Sequence, residues 1–154
     1  MDWQEEMTTK YPELFDGRFH FEIPEGWRVL VESAIRQLHC PVVRARKAVE
    51  VAKEYLGTTP TWTPEYLALA ERDLEKTLKA LPKILQVKEK FGALRIYTTT
   101  TISPRASGVI EMAEDLSTKT CQVCGKTGED VSLVGPGWFQ TLCPTHRDER
   151  HREG

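Results

Sequence analysis

The apolar positions of this chain fall into two rhythms. After Pro24, residues Trp27, Leu30, Val31, Ala34, Ile35 and Leu38 recur at the spacing of one helix face, which predicts a helix from about Glu25 to His39, ended or kinked at Pro41. In RARKAVEVAKEYLG the small and apolar residues Ala45, Ala48, Val49, Ala52 and Leu56 align on one side, and Gly57 supplies a C-terminal cap. A third helix opens with Thr63 as its cap and Pro64 in its first turn. It runs through Leu67, Ala70, Leu74, Leu78 and Leu81 and stops at Pro82. A last helix, from about Pro104 to Ser117, turns Val109, Ile110, Ala113 and Leu116 inward.

Between the third and last helices the period changes. ILQVKEKFGALRIYTTTT is rich in β-branched and aromatic residues that alternate in type, and Phe91-Gly92 offers a turn or bulge, so a hairpin or a bent strand pair is expected. Nearer the start, Tyr11, Phe15, Phe19 and Phe21 are interrupted by Pro12, Gly17, Pro24 and Gly26. That pattern suits irregular segments or short strands whose aromatic rings enter the core. The sum is an α+β chain: several helices packed on a small antiparallel sheet that contains residues near 85–99.

Composition narrows the class. A chain of 154 residues suffices for one domain with a small appendage, and it can bury a core without leaning on metal for its whole fold. The net charge of -2 excludes a surface coated in cations, so any contact with nucleic acid is local. No apolar run approaches the roughly 20 residues that cross a bilayer. The start, MDWQEEMTTKY, is acidic where a secretory leader is basic and then apolar. The expected location is therefore the cytoplasm, with no membrane partner, and in that reducing setting four cysteines do not read as a disulfide framework.

Three of those cysteines are clustered. Cys121 and Cys124 form a CxxC pair, a spacer of 18 residues (125–142) follows, and Cys143 and His146 close the segment as CPTH. Such paired spacing lets two short turns offer four ligands to one tetrahedral ion, and the spacer falls in the range of roughly 15 to 20 residues found in zinc ribbons. Zinc is the expected ion. His151, further along the tail, is the alternative fourth ligand; His146 has the symmetrical spacing. A thioredoxin-type redox pair would require a βαβ setting that the pattern lacks. Four protein ligands leave no open position for water, so the ion is read as structural, and the segment around it has too few large apolar residues to order itself without metal.

The remaining chemistry is thinner. There is no GxxxxGK[ST], GxGxxG, GxSxG or HExxH, and His20 and His39 stand alone. Cys40 reads as a partly buried free thiol, and Arg44, Arg46 and Lys47 as an ordinary exposed helix face. Lys88, Lys90, Arg95 and Tyr97, with Phe91 between them, combine cations that bind phosphate with rings that stack on bases. The competing reading gives them no ligand: the charges guard a strand edge and both rings lie in the core. Trp138, between Gly137 and Phe139, is expected to pack the metal segment against the body, or else to be an exposed contact.

YPELFDG, GW at a helix start, KEKFGALRIY, and an acidic helix leading into TCQVCG and GWFQTLCPTH together resemble a group of small proteins of bacteriophages, prophages and bacteria. Residues 41–82 look like a helical insertion relative to shorter members. The resemblance carries over only Cys121, Cys124, Cys143 and His146 as metal ligands, and it points toward a phage accessory protein, counter-defence included. The expected organisation is an α+β body over 1–119, a zinc-ribbon-like subdomain over 120–147 and a charged, frayed tail over 148–154. The expected function is non-enzymatic binding of a phosphate-bearing ligand, nucleic acid or nucleotide, through Lys88, Lys90, Arg95 and Tyr97. The alternatives are a protein-binding module that inhibits a host factor through Trp27, Trp62 or Trp138, and an enzyme with an unfamiliar site.

Overall fold

A computed structural model describes residues 2–17, 19–99 and 101–153. The chain is α+β, with helices α1 (Trp3–Lys10), α2 (Arg28–Tyr55), α3 (Pro64–Ala80), α4 (Pro104–Ser117) and α5 (Pro144–Glu153). Strands β1 (Ile84–Lys90) and β2 (Ala93–Thr98) pair antiparallel over the residues expected to form the small sheet, and β3 (Ser132–Val134) and β4 (Gln140–Leu142) pair antiparallel as a second two-stranded sheet within the segment 120–147.

Helix α2 departs most from expectation. It passes through Pro41 without a break and fuses the first two expected helices into 28 residues. Proline at position 41 has no N–H to give the carbonyl four residues back, which is that of Gln37. Arg105, on α4, supplies the missing donor. Its Nη1 donates to the Gln37 carbonyl at 2.7 Å, and its Nη2 to Gln37 Oε1 at 3.1 Å. A cross-helix contact thus replaces a bond the sequence alone shows as lost.

The C-terminal half of α2 and the length of α3 form a helical hairpin with a small core of its own, in which Val49, Ala52 and Ala70 are covered by Trp62, Leu67 and Leu74. Thr63 caps α3, its hydroxyl accepting from the Tyr66 amide at 3.1 Å, with Pro64 in the first turn as the pattern implied. The main core lies at the other end of α2. Trp27, Val31, Ile35 and Leu38 meet Ile84, Val87, Leu94 and Ile96 from the first sheet and Ile110 from α4. Tyr11, Phe15 and Phe21 are buried there and Phe19 packs against them, Phe15 and Phe19 with ring centroids 4.9 Å apart. Helix α1, whose polar sequence buries only Met7, has no periodic signal to betray it. The carboxylate of Glu13, just beyond it, joins this segment to α2 by meeting His39 Nε2 at 3.0 Å and the Arg46 guanidinium.

Both edges of the β1–β2 hairpin are covered. Glu22 lies along β1, its amide donating to the Val87 carbonyl and its carbonyl accepting from the Glu89 amide, each at 2.9 Å. On the β2 side the Leu94 amide donates to Ser117 Oγ at 2.9 Å, and the Ile96 amide to Glu114 Oε1 at 3.1 Å. The two-residue turn is Phe91-Gly92, with φ of 53° and 81°. Both central residues are therefore left-handed, the type I′ geometry that matches the twist of the strands.

The bond from Arg105 to Gln37 yields a test. Arg105→Ala should destabilise the chain by about 1 kcal/mol in urea unfolding, since it leaves a helix-interior carbonyl without its donor. In a Pro41→Ala background residue 41 regains its own N–H, so the same substitution should cost less. Equal costs in the two backgrounds would contradict the assignment.

Candidate metal centre and basic sheet face

Each ligand of the C-terminal cluster is set by local backbone chemistry. After α4 the chain turns back on itself, the Cys121 amide donating to the Lys126 carbonyl at 2.8 Å and the Gly125 amide to the Cys121 carbonyl at 2.9 Å. Gly125 holds φ at 75°, as a turn this tight requires. Cys143 directly precedes α5, Pro144 occupies its first turn, and His146 follows three residues after the cysteine. A pair spaced i, i+3 at a helix start lies on one face.

Cys143 Sγ is 3.2 Å from His146 Nδ1, Cys121 Sγ is 3.5 Å from the same nitrogen, and Cys124 Sγ is 3.9 Å from Cys143 Sγ. The four ligand atoms all lie within 4.8 Å of one another. A tetrahedral ion with sulfur at about 2.3 Å and nitrogen at about 2.0 Å gives edges of about 3.5 to 3.8 Å. Cys121, Cys124, Cys143 and His146 can therefore hold a metal ion. His146, half-buried, joins the group; His151, exposed on α5, does not.

Electrostatics favours a cation here. Burial pushes the Cys121 thiol up, but the amides of Cys124, Cys143 and Val123 outweigh it and hold this group below the usual thiol range. For Cys124 the Lys126 amide pulls downward, while burial and the Cys121 and Cys143 sulfurs push it above that range. One sulfur thus ionises at the expense of its neighbour, a conflict that a bound cation removes. His146 Nε2 lies 3.7 Å from Glu149 Oε2, which sequence spacing had not singled out, and that carboxylate favours a ring turned with Nδ1 toward the sulfurs.

Residues expected to fray continue α5 to Glu153, and Arg150 ties the helix to the second sheet by donating to the carbonyls of Trp138 at 2.6 Å and Val134 at 3.3 Å. Trp138 does not pack this region onto the body: it is 71% exposed. Gly26 and Trp27 make that junction instead. The Gly26 amide donates to the Gln122 carbonyl at 2.8 Å, and the fully buried Trp27 indole N–H donates to the Thr120 carbonyl at 2.9 Å. Trp27 is accordingly no partner contact. Beside this junction a cleft of about 590 Å³ is lined by Val29, Leu30, Leu116, Val123 and Cys124 among others.

The four basic and aromatic candidates sit on the first sheet. In its register Lys88 faces Arg95 and Gln86 faces Tyr97, so these side chains share one side, while Val87, Leu94 and Ile96 take the other. Lys88 Nζ is 5.4 Å from the Tyr97 ring centroid, and Lys90 Nζ 5.8 Å from that of Phe91. Arg95 is partly engaged: its Nη1 donates to the Leu94 carbonyl at 2.8 Å and lies 3.9 Å from Glu114. Glu89, on the inner side, accepts from the Gly92 amide at 2.5 Å.

A Cβ on Gly26 would lie 2.3 Å from the Cys121 carbonyl oxygen and 2.5 Å from the Gln122 backbone, contacts that no rotamer relieves. Gly26→Ala should therefore destabilise by about 1 to 3 kcal/mol in denaturant titration, whereas Gly108→Ala, on α4 with nothing within 4 Å, should be neutral or stabilising. Comparisons of the chain with protein-family models, with curated proteins and with solved structures gave no match.

Proposed function

We propose that this is a zinc-containing binding protein without catalytic activity, whose sheet face at Lys88, Lys90, Arg95 and Tyr97 receives a phosphate-bearing ligand, nucleic acid or nucleotide. The resemblance noted above puts such a protein among phage accessory factors, counter-defence included. Three thiolates and one imidazole suit zinc, and four protein ligands make the ion structural. Cys121, Cys124, Cys143 and His146 would hold it.

One observation carries the ligand reading. If the cations only guarded a strand edge, Phe91 and Tyr97 would be buried beneath them. Phe91 is 72% exposed and Tyr97 40%. Both edges of the hairpin are moreover already satisfied by Glu22, Ser117 and Glu114, so protection from edge pairing does not explain the charges. Cations beside open rings are the mixture that binds phosphate and stacks a base. A second reading, docking of a host protein, is favoured by the apolar cleft near the metal centre, where Val29 is 73% exposed, and by the open ring of Trp138.

Elemental analysis of protein purified without chelator should give one zinc per chain, and Cys143→Ser should abolish its retention; protein free of zinc would remove the structural part of the proposal. For the ligand, wild type and Arg95→Ala should be titrated with single-stranded DNA, RNA and a panel of linear and cyclic nucleotides at two salt concentrations. Wild-type binding should weaken with salt, and Arg95→Ala should lose about tenfold or more, the loss of one charge-assisted contact. Absence of saturable wild-type binding to all of these ligands would put the protein-docking reading in front.

A further inference from the structure

Phe91 is the one residue of the basic face that neither folding nor packing accounts for. It holds φ at 53°, in the left-handed region that bulky side chains avoid, and it is the only residue other than glycine to do so among the described residues. The first position of a type I′ turn favours Asn, Asp or Gly, and a Phe there is strained. Strain of this kind is held by the surrounding structure and clusters at ligand-binding and active sites. Burial does not repay it, because the ring stands open to solvent at the hairpin tip.

Its surroundings indicate a ligand class. Lys90 Nζ stands 5.8 Å from the ring centroid. The ion pairs among the described residues engage neither Lys88 nor Lys90. By contrast Glu114 approaches Arg95, and the bridge between Glu22 and Lys88 puts Glu22 on the Lys88 side of the sheet. The hairpin tip thus brings Lys90 beside an open ring with no ion pair engaging the lysine, the nearby Glu89 carboxylate lying on the inner side and bound to the Gly92 amide. Tyr97 lies four residues along β2 from Ala93, about 13 Å at the rise of a strand, so the two rings stand at separate levels along the hairpin. None of five clefts on the structure is lined by Lys88, Lys90, Phe91, Arg95 or Tyr97, whereas small ligands are held in enclosed pockets. An open row of rings flanked by lysines suits an extended chain of bases.

We infer that Phe91 is a base-stacking platform at the tip of the β1–β2 hairpin and that the ligand of this face is single-stranded nucleic acid, its bases on Phe91 and Tyr97 and its phosphates beside Lys88 and Lys90. The inference rests on the phosphate-binding reading above and narrows it from any nucleotide to a polymer.

The test uses the full zinc-loaded chain and fluorescence anisotropy with labelled oligothymidylate and oligouridylate of roughly 12 nucleotides, together with a hairpin duplex and mononucleotides. Phe91→Asn places a turn-compatible residue at the strained position, so its melting temperature should match or exceed that of wild type while affinity for the single strands falls about tenfold, one stacked base being lost. Phe91→Leu, which keeps an apolar side chain and removes the ring, should show the same loss of binding and serves if the Asn variant folds poorly. Phe91→Trp should retain or raise affinity. Preference for one oligonucleotide would tell RNA from DNA, with either supporting the inference. Single-strand binding that both ring-deleting variants leave intact would overturn the role of Phe91 while leaving the phosphate reading in place. Tighter binding to mononucleotides or duplex than to single strands would overturn the choice of ligand, and binding to none of the probes would overturn both readings.

Discussion

The fully buried indole N–H of Trp27 finds its acceptor outside the body of the protein, in the carbonyl of Thr120 at 2.9 Å. Much of the structure follows from that. A buried donor without a partner costs about 1 to 3 kcal/mol, so the core is satisfied only while the turn that begins at Thr120 holds its place. Gly26, one residue earlier, donates to Gln122 and lies too close to Cys121 and Gln122 for any side chain. The Gln122 amide in turn donates to the Thr141 carbonyl, and Thr141 Oγ1 donates to the Gly92 carbonyl at 2.6 Å. The segment carrying Cys121 and Cys124 thus touches both the start of α2 and, through β4, the turn of the first hairpin. An appendage joined only by sequence would make no such demands.

This arrangement bears on what a structural ion would do. Ordering the CxxC turn fixes the carbonyls that Trp27 and Gly26 need, and it also steadies the Thr141 hydroxyl beneath the Phe91-Gly92 turn. The metal centre and the basic sheet face are therefore mechanically joined, although no candidate ligand-binding side chain touches a metal ligand. A short hairpin gains from such support, because an isolated two-stranded ribbon is marginally stable in water.

The sequence disclosed much of this and concealed the rest for physical reasons. The cysteine and histidine spacing was legible because chelation is a local constraint, and His146 was separable from His151 by symmetry alone. Helix α3 was legible from period and caps, α4 from its period, and the β1–β2 hairpin from alternation around Phe91-Gly92. Pro41 misled because the donor that replaces its missing N–H comes from Arg105, 64 residues later in the sequence (41 to 105) and on another helix. Helix α1 and the extension of α5 were hidden by polar sequences that lack an apolar stripe, α5 burying no residue at all. Trp138 was misplaced because an aromatic in a glycine- and proline-rich turn carries no sign of which way it faces, while Gly26-Trp27, which does join the two parts, read as an ordinary helix start.

Proton exchange at the Trp27 indole, followed by NMR before and after a chelator removes the metal, tests this dependence most directly. With zinc verified as present, exchange at this N–H should be slow. Chelation should accelerate it by orders of magnitude together with a fall in melting temperature, since the Thr120 carbonyl then loses the turn that positions it. Unchanged protection of Trp27 and an unchanged melting temperature in protein verified as metal-free would contradict the account, and would mean that the body holds the turn in place without help from the ion.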